Sequence, residues 1–196
     1  EAYNKSISIK PDYPQPYCNM ANTLKDQGKL DEAIKAYGKS ISLKPDYAEA
    51  YNNMGNTFKD QGKLVKAIIS FKKAISIKPD YAEAHSNMGV ALQDQGKFNL
   101  AIESYNKALL LKPDYPQPYY NIGITLQEQG KLEEAITAFS KALSLKSNYT
   151  EAYNNIGNAL KVLNKTDEAI EAYKKALSIK PDYAEAYGNM GVALQD

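Results

Sequence analysis

The sequence predicts an all-α fold, an α-solenoid of stacked helix-turn-helix hairpins. Three observations predict it: a 34-residue period, two apolar stripes of helical spacing within each period, and Gly and Pro at matching places along the chain. Lys-Pro recurs at Lys10, Lys44, Lys78, Lys112 and Lys180, and Lys146-Ser147 fills the remaining slot. The period divides the 196 residues into full repeats 14–47, 48–81, 82–115, 116–149 and 150–183, with a helix-B fragment at 1–13 and a helix-A fragment at 184–196. The whole chain reads as a single array.

In the second repeat, Tyr51, Met54, Gly55 and Phe58 fall at i, i+3, i+4 and i+7 and define helix A; Ala67, Ile68, Phe71, Ala74 and Ile75 define helix B. Asp46 and Glu49 have capping-box spacing, repeated at Asp80/Glu83 and Asp182/Glu185, which predicts an aspartate cap on helix A. Gly28, Gly62, Gly96 and Gly130, and Asn164 in the fifth repeat, stand where helix A ends and a left-handed residue is wanted. Pro45 and its counterparts end helix B, because proline disfavours the helical conformation of the lysine before it. Gly55, Gly89, Gly123, Gly157 and Gly191 lie inside helix A and predict close contact with a neighbouring helix.

Composition excludes several functions. All 24 basic residues are lysine and are offset by 23 acids, so a net charge of +1 provides no field to steer the chain toward nucleic acid or anionic lipid. Without arginine the chain lacks the bidentate fork suited to phosphate. No apolar run is long enough to span a membrane. The lone Cys18 fits a reducing compartment such as the cytoplasm, as it also fits a cysteine-poor secreted protein.

The residues that invite a chemical reading fit packing better. Fifteen of sixteen tyrosines occupy three repeat positions, and only Tyr120 breaks the pattern, so they are expected to pack between hairpins rather than to stack on ligands. His85 replaces a helix-A tyrosine and has no second histidine with which to hold a metal; Cys18 has no histidine nearby to activate it. No catalytic constellation, metal site or cofactor is implied, and the chain is not expected to be an enzyme.

Tyr51-x-x-Met54-Gly55-x-x-Phe58, Ala67-x-x-x-Phe71 and Pro79 resemble the tetratricopeptide signature, with Tyr in place of Trp. The resemblance spans the chain. It implies a right-handed superhelix whose A helices line a concave groove, and a protein or extended peptide as partner. The family's carboxylate clamp needs basic residues that this face lacks, since the second place of helix A is Gln or Glu and the fifth carries no lysine.

One place on helix A never changes. Asn19, Asn53, Asn87, Asn121, Asn155 and Asn189 occupy its sixth position, and Asn22, Asn56 and Asn158 occur one turn later, while the fifth place drifts through Cys18, Asn52, Ser86, Tyr120, Asn154 and Gly188. Asparagine is a middling-to-poor helix former, about 0.7 kcal/mol worse than alanine. A side-chain amide can pair with both backbone groups of an extended peptide whatever its sequence. With helices about 9 Å apart and about 3.3 Å per extended residue, one rung would serve three ligand residues. The pattern Tyr17-Cys18-Asn19-Met20-Ala21-Asn22 is similar to the superhelical repeats of O-linked N-acetylglucosamine transferases, whose groove carries an asparagine ladder at this place.

A peptide-binding scaffold is the first expectation. The alternatives are the substrate-presenting portion of a larger glycosyltransferase-like enzyme and a structural or oligomerisation rod. Glu49, Glu83, Glu151, Glu185, Asp26, Asp60, Asp94, Glu128 and Asp196, against Lys25, Lys59 and Lys161, would give the groove a net charge of −6 and a preference for neutral or basic segments. Tyr3, Ile7 and Ile9 at one end and Tyr187, Met190 and Leu194 at the other are expected to be bare, which predicts a fragment that self-associates head to tail.

Overall fold

The structure, a computed structural model, describes residues 2–195. Among them twelve helices and no strand are present: α1 (Ala2–Ile9), α2 (Pro14–Asp26), α3 (Leu30–Leu43), α4 (Ala48–Asp60), α5 (Leu64–Ile77), α6 (Ala82–Gln93), α7 (Phe98–Leu111), α8 (Pro116–Glu128), α9 (Leu132–Leu145), α10 (Thr150–Val162), α11 (Thr166–Ile179) and α12 (Ala184–Ala193). The chain forms two compact units, residues 1–100 and 101–196, divided within α7. Even-numbered helices are the A helices expected from the period. In the first unit α2 pairs with α3 and α4 with α5; in the second α8 pairs with α9 and α10 with α11.

Each core cluster joins one hairpin to the next A helix. Tyr37, Ala33 and Ala36 of α3 pack with Cys18 and Ala21 of α2 and with Ala50 of α4. Phe71 and Ala67 of α5 meet Ala91 of α6, and Tyr173 of α11 meets Leu160 of α10 and Ala193 of α12. The helix-B aromatics Tyr37, Phe71, Tyr105, Phe139 and Tyr173 are all fully buried. A single hairpin therefore leaves part of its apolar surface uncovered until the following helix is added.

The connections within hairpins follow one pattern. Gly62 takes φ +71°; its N–H donates to Lys59 O at 2.8 Å, and the Lys63 N–H donates to Phe58 O at 2.8 Å. These bonds form a Schellman motif that satisfies carbonyls left free at the end of α4. Asn164 adopts the same left-handed conformation at φ 59°.

The joint between hairpins differs from the expected capping box. Tyr47 takes the N-cap place of α4 without a side-chain hydrogen bond, and the same holds at Tyr13, Tyr81, Tyr115, Tyr149 and Tyr183. Asp46 lies one residue too early, in a turn closed by the Tyr47 N–H donating to Lys44 O at 3.2 Å. Glu49 then falls at the second helical residue, where its charge favours the positive end of the helix. Lysine ends helix B in extended conformation, as Lys44 does at φ −137° and ψ 88°. Its ammonium sits over the ring of the tyrosine three residues on, 4.9 Å from the centroid at Lys44/Tyr47 and 4.6 Å at Lys146/Tyr149. This cation–π contact recurs at all six joints.

Helix A is held against helix B by the absence of a side chain. A Cβ added at Gly55 would meet the Phe71 ring at 2.6 Å, one at Gly123 the Phe139 ring at 2.5 Å, and one at Gly157 the Tyr173 ring at 2.4 Å. The first repeat carries the buried Ala21 in this place against Tyr37, so a ring can yield to one methyl group. For Gly123→Ala, overpacking of about 1–3 kcal/mol is opposed by about 0.5–1 kcal/mol of recovered helix propensity. A net loss of about 1 kcal/mol is expected for alanine and several-fold more for Gly123→Leu, read as a shift of denaturation midpoint at constant slope. A more stable Gly123→Ala protein would show that ring contact does not limit the approach.

Candidate functional site

Successive A helices lie beside one another within each unit, α2 by α4, α4 by α6, α8 by α10 and α10 by α12, and several sixth-place asparagines reach across these contacts. In the first unit the Asn53 Nδ2 donates to Asn22 Oδ1 at 3.2 Å and the Asn87 Nδ2 to Asn52 Oδ1 at 3.0 Å. The Asn52 Nδ2 donates in turn to Asn53 Oδ1 at 3.3 Å, and the Tyr37 hydroxyl donates to Asn22 Oδ1 at 2.5 Å. A continuous relay of side-chain bonds thus runs from Asn87 through Asn52 and Asn53 to Asn22.

The second unit repeats the device with different partners. The Asn155 Nδ2 donates to the Tyr120 hydroxyl at 3.0 Å, and the Asn189 Nδ2 donates to Asn154 Oδ1 at 3.1 Å. The Asn154 Nδ2 donates to Glu185 Oε1 at 3.0 Å. Asn19 and Asn121 accept instead from Gln15 and Gln117 on their own helices, at 3.1 and 3.0 Å. Those glutamines accept hydrogen bonds from the Tyr47 and Tyr149 hydroxyls. Asn158 accepts from the Tyr173 hydroxyl at 2.9 Å, whereas Asn56 faces the repeat in which Phe71 has no hydroxyl to offer.

The fifth place is not the freely drifting neighbour that its sequence suggests. Cys18, Asn52, Ser86 and Asn154 are buried, and Tyr120 is half-buried with its ring stacked on Tyr149 at 4.7 Å. This layer supplies the acceptor for the next asparagine, 35 residues on, in the pairs Asn52/Asn87, Tyr120/Asn155 and Asn154/Asn189. The polar character of both members at that separation was the signal available in the sequence.

The charges expected on this face are partly paired. Lys25 reaches across to Asp60 at 3.3 Å, and Lys59 lies 3.9 Å from the same residue. Asp196 lies outside the described residues. Burial pushes the Cys18 thiol above its ordinary range, as expected of an unactivated cysteine. His85 is buried with its Nε2 3.2 Å from Pro79 O, in keeping with a packing role. Burial also raises Tyr120, against the lowering effect of the hydrogen bond from Asn155, and pushes Tyr149 up to about 12. No helix among the described residues is long and apolar enough to cross a membrane.

A double-mutant cycle on Asn155 and Tyr120 measures what the relay contributes to folding. Tyr120→Phe keeps the ring on Tyr149 and removes only the acceptor, so it should cost about 1 kcal/mol, as should Asn155→Ala. The double variant should lose less than the two single losses combined, by about 0.5–1 kcal/mol in denaturant unfolding. Strict additivity would mean that the bond adds nothing.

Comparison with known proteins agrees with the paired helices of the repeats. The family model described as TPR repeat matches residues 21–62, 55–96, 91–130, 125–163 and 157–196, and the model described as tetratricopeptide repeat matches residues 2–35. No curated protein sequence matches the chain. Among solved structures it is similar to YrrB, a TPR protein with an unusual peptide-binding site, at 26% identity and a TM-score of 0.71, covering 96% of this chain and 97% of that one. It is similar to MamA at 31% identity and a TM-score of 0.75, covering 84% of this chain and 96% of that one. The Cut9–Hcn1 complex shares the fold at 20% identity and a TM-score of 0.83, covering 98% of this chain and 38% of that one. On these matches and on its paired helices, the chain belongs to the tetratricopeptide repeat family.

Proposed function

We propose that the chain is a non-catalytic protein-binding scaffold, one array of repeats 14–47 to 150–183, whose A-helix face holds an extended polypeptide through Asn19, Asn53, Asn87, Asn121, Asn155 and Asn189, with Asn22, Asn56 and Asn158 beside them. One observation carries the reading. At Asn87, Asn155 and Asn189 an amide N–H donates to the neighbouring helix, which orients a side chain that can donate and accept further bonds. A group oriented in advance loses less entropy on binding. The similarity to YrrB, a protein with a peptide-binding site, supports the same reading. Under the resemblance to glycosyltransferase repeats, which rests on the residue pattern alone, this face would deliver a polypeptide to a catalytic domain; binding is the step both readings share. The expected ligand is neutral or basic, and neither nucleic acid nor membrane is its partner.

The test uses an array of 15-residue peptides of neutral or basic charge and the variant Asn53→Ala/Asn87→Ala/Asn121→Ala/Asn155→Ala. Affinity should fall at least tenfold while the helical circular dichroism is kept. Five lost bonds at about 0.5–1.5 kcal/mol each lower stability as well, so Asn87→Ala alone provides the same comparison in a protein that stays folded. Unchanged affinity in the folded variants overturns the ladder.

We also propose head-to-tail contact between copies through α12 and α1. Tyr3 and Ile9 are exposed on α1, as are Tyr187 and Leu194 at the other end, while Ile7 is half-buried and Met190 packs on the Leu160–Tyr173 cluster. Light scattering should show mass rising with concentration, and Leu194→Glu should abolish the rise. A wild-type chain that stays monomeric at high concentration refutes the contact.

A further inference from the structure

At two places on its exposed face, the B helix α5 departs from its four full-length counterparts. α5 carries Val65 where the others place Asp31, Asn99, Glu133 and Asp167, and Ile69 where they place Lys35, Glu103, Thr137 and Glu171. Four residues apart, the two side chains share one line of the helix, and they are 65% and 62% exposed. A groove of about 200 Å³ runs beside them, lined by Val65, Ile68, Ile69, Lys72, Gln95 and Lys97.

The charge around this ridge is as unusual as its apolarity. Residues 63–78 contain Lys63, Lys66, Lys72, Lys73 and Lys78 and no acid, whereas each corresponding stretch in the other four repeats contains at least one acid and nets +1 or +2. Lys66 also lies 5.8 Å from the centre of the Phe58 ring. Lys97 adds a further cation at the groove, and Asp94, in the same turn, is the nearby acid in sequence.

The four counterparts serve as an internal control. They build the same hairpin with polar residues at both places, so the fold does not require Val65 or Ile69 to be apolar. Their exposure to water favours a partner that covers them. We propose that the α5 ridge docks an acidic amphipathic helix from another protein, whose apolar stripe covers Val65, Ile68 and Ile69 and whose carboxylates face Lys66, Lys72, Lys73 and Lys97. Lysines around an apolar centre speed encounter with an acidic partner and exclude a basic one. A helix laid along a groove is an established way of engaging such a ridge. The surface lies on helix B, so it is independent of the asparagine face.

The probe is a fluorescein-labelled 18-residue synthetic peptide with leucine at i, i+3, i+4 and i+7 and glutamate on its remaining faces, titrated with the full chain by fluorescence anisotropy. Saturable binding that weakens as salt is raised is expected. Val65→Asp/Ile69→Glu should weaken it at least tenfold; both residues are native at these places in other repeats, so the variant should fold. Asn87→Ala should leave binding unchanged. No binding up to millimolar protein, equal binding of the Val65→Asp/Ile69→Glu variant, or equal binding of a peptide with lysine in place of glutamate would overturn the proposal. Two further outcomes would reassign the ridge and also overturn it: Val65- and Ile69-dependent binding to phosphatidylglycerol vesicles, or self-association of the wild type that the double variant abolishes.

Discussion

Three hairpins depend on an aromatic ring lying on bare backbone. At Gly55, Gly123 and Gly157 the ring of the paired helix B occupies the space of a missing Cβ, and the ring is fully buried in each case. Such a contact brings two helices closer than side-chain packing on both surfaces allows. It also reaches the polar face. In two repeats the ring is a tyrosine whose hydroxyl meets the asparagine one position after the glycine place, Tyr37 with Asn22 and Tyr173 with Asn158. Packing in the core and the orientation of an amide on the surface thus have one cause.

The side-by-side contact of A helices is polar, an uncommon choice for a buried seam. Asn52 and Asn154 are nearly inaccessible to water, and an unbonded amide there would be strongly unfavourable. Both are bonded through oxygen and nitrogen alike, Asn52 to Asn87 and Asn53, and Asn154 to Asn189 and Glu185. Satisfied networks of this kind favour one arrangement over its neighbours, because a slip of one residue would leave several groups unpaired together. The six cation–π joints contribute a constant element, while the seam varies from repeat to repeat.

What could be read in the sequence was what the backbone dictates locally. The period, the two stripes, the left-handed residue after helix A and the proline-ended helix B each depend on a few adjacent residues. The aspartate cap was misread because spacing alone does not separate the cap position from the one before it; Asp46 is taken by the turn that Pro45 begins. The buried fifth place was missed for another reason. A helical wheel drawn for one helix shows the face toward its partner, whereas Asn52 and Asn154 are buried by helices 31 to 35 residues away. Of the candidate site, its sixth-place asparagines were legible as a stripe, and their donors and acceptors were not.

The relay also constrains how such a chain can be rebuilt. Asn53, Asn87, Asn155 and Asn189 each donate to an acceptor in the repeat before, and that acceptor is an asparagine at Asn52 and Asn154, a phenol at Tyr120 and, beside Cys18, the displaced Asn22. A duplicated or transplanted repeat is therefore compatible only behind a predecessor offering the right atom at the right height. The smallest interchangeable module is not the hairpin but a segment cut through the middle of helix A, carrying each acceptor together with the donor that follows it. Repeats in this chain have an order, written in amide and hydroxyl groups that the 34-residue period does not reveal.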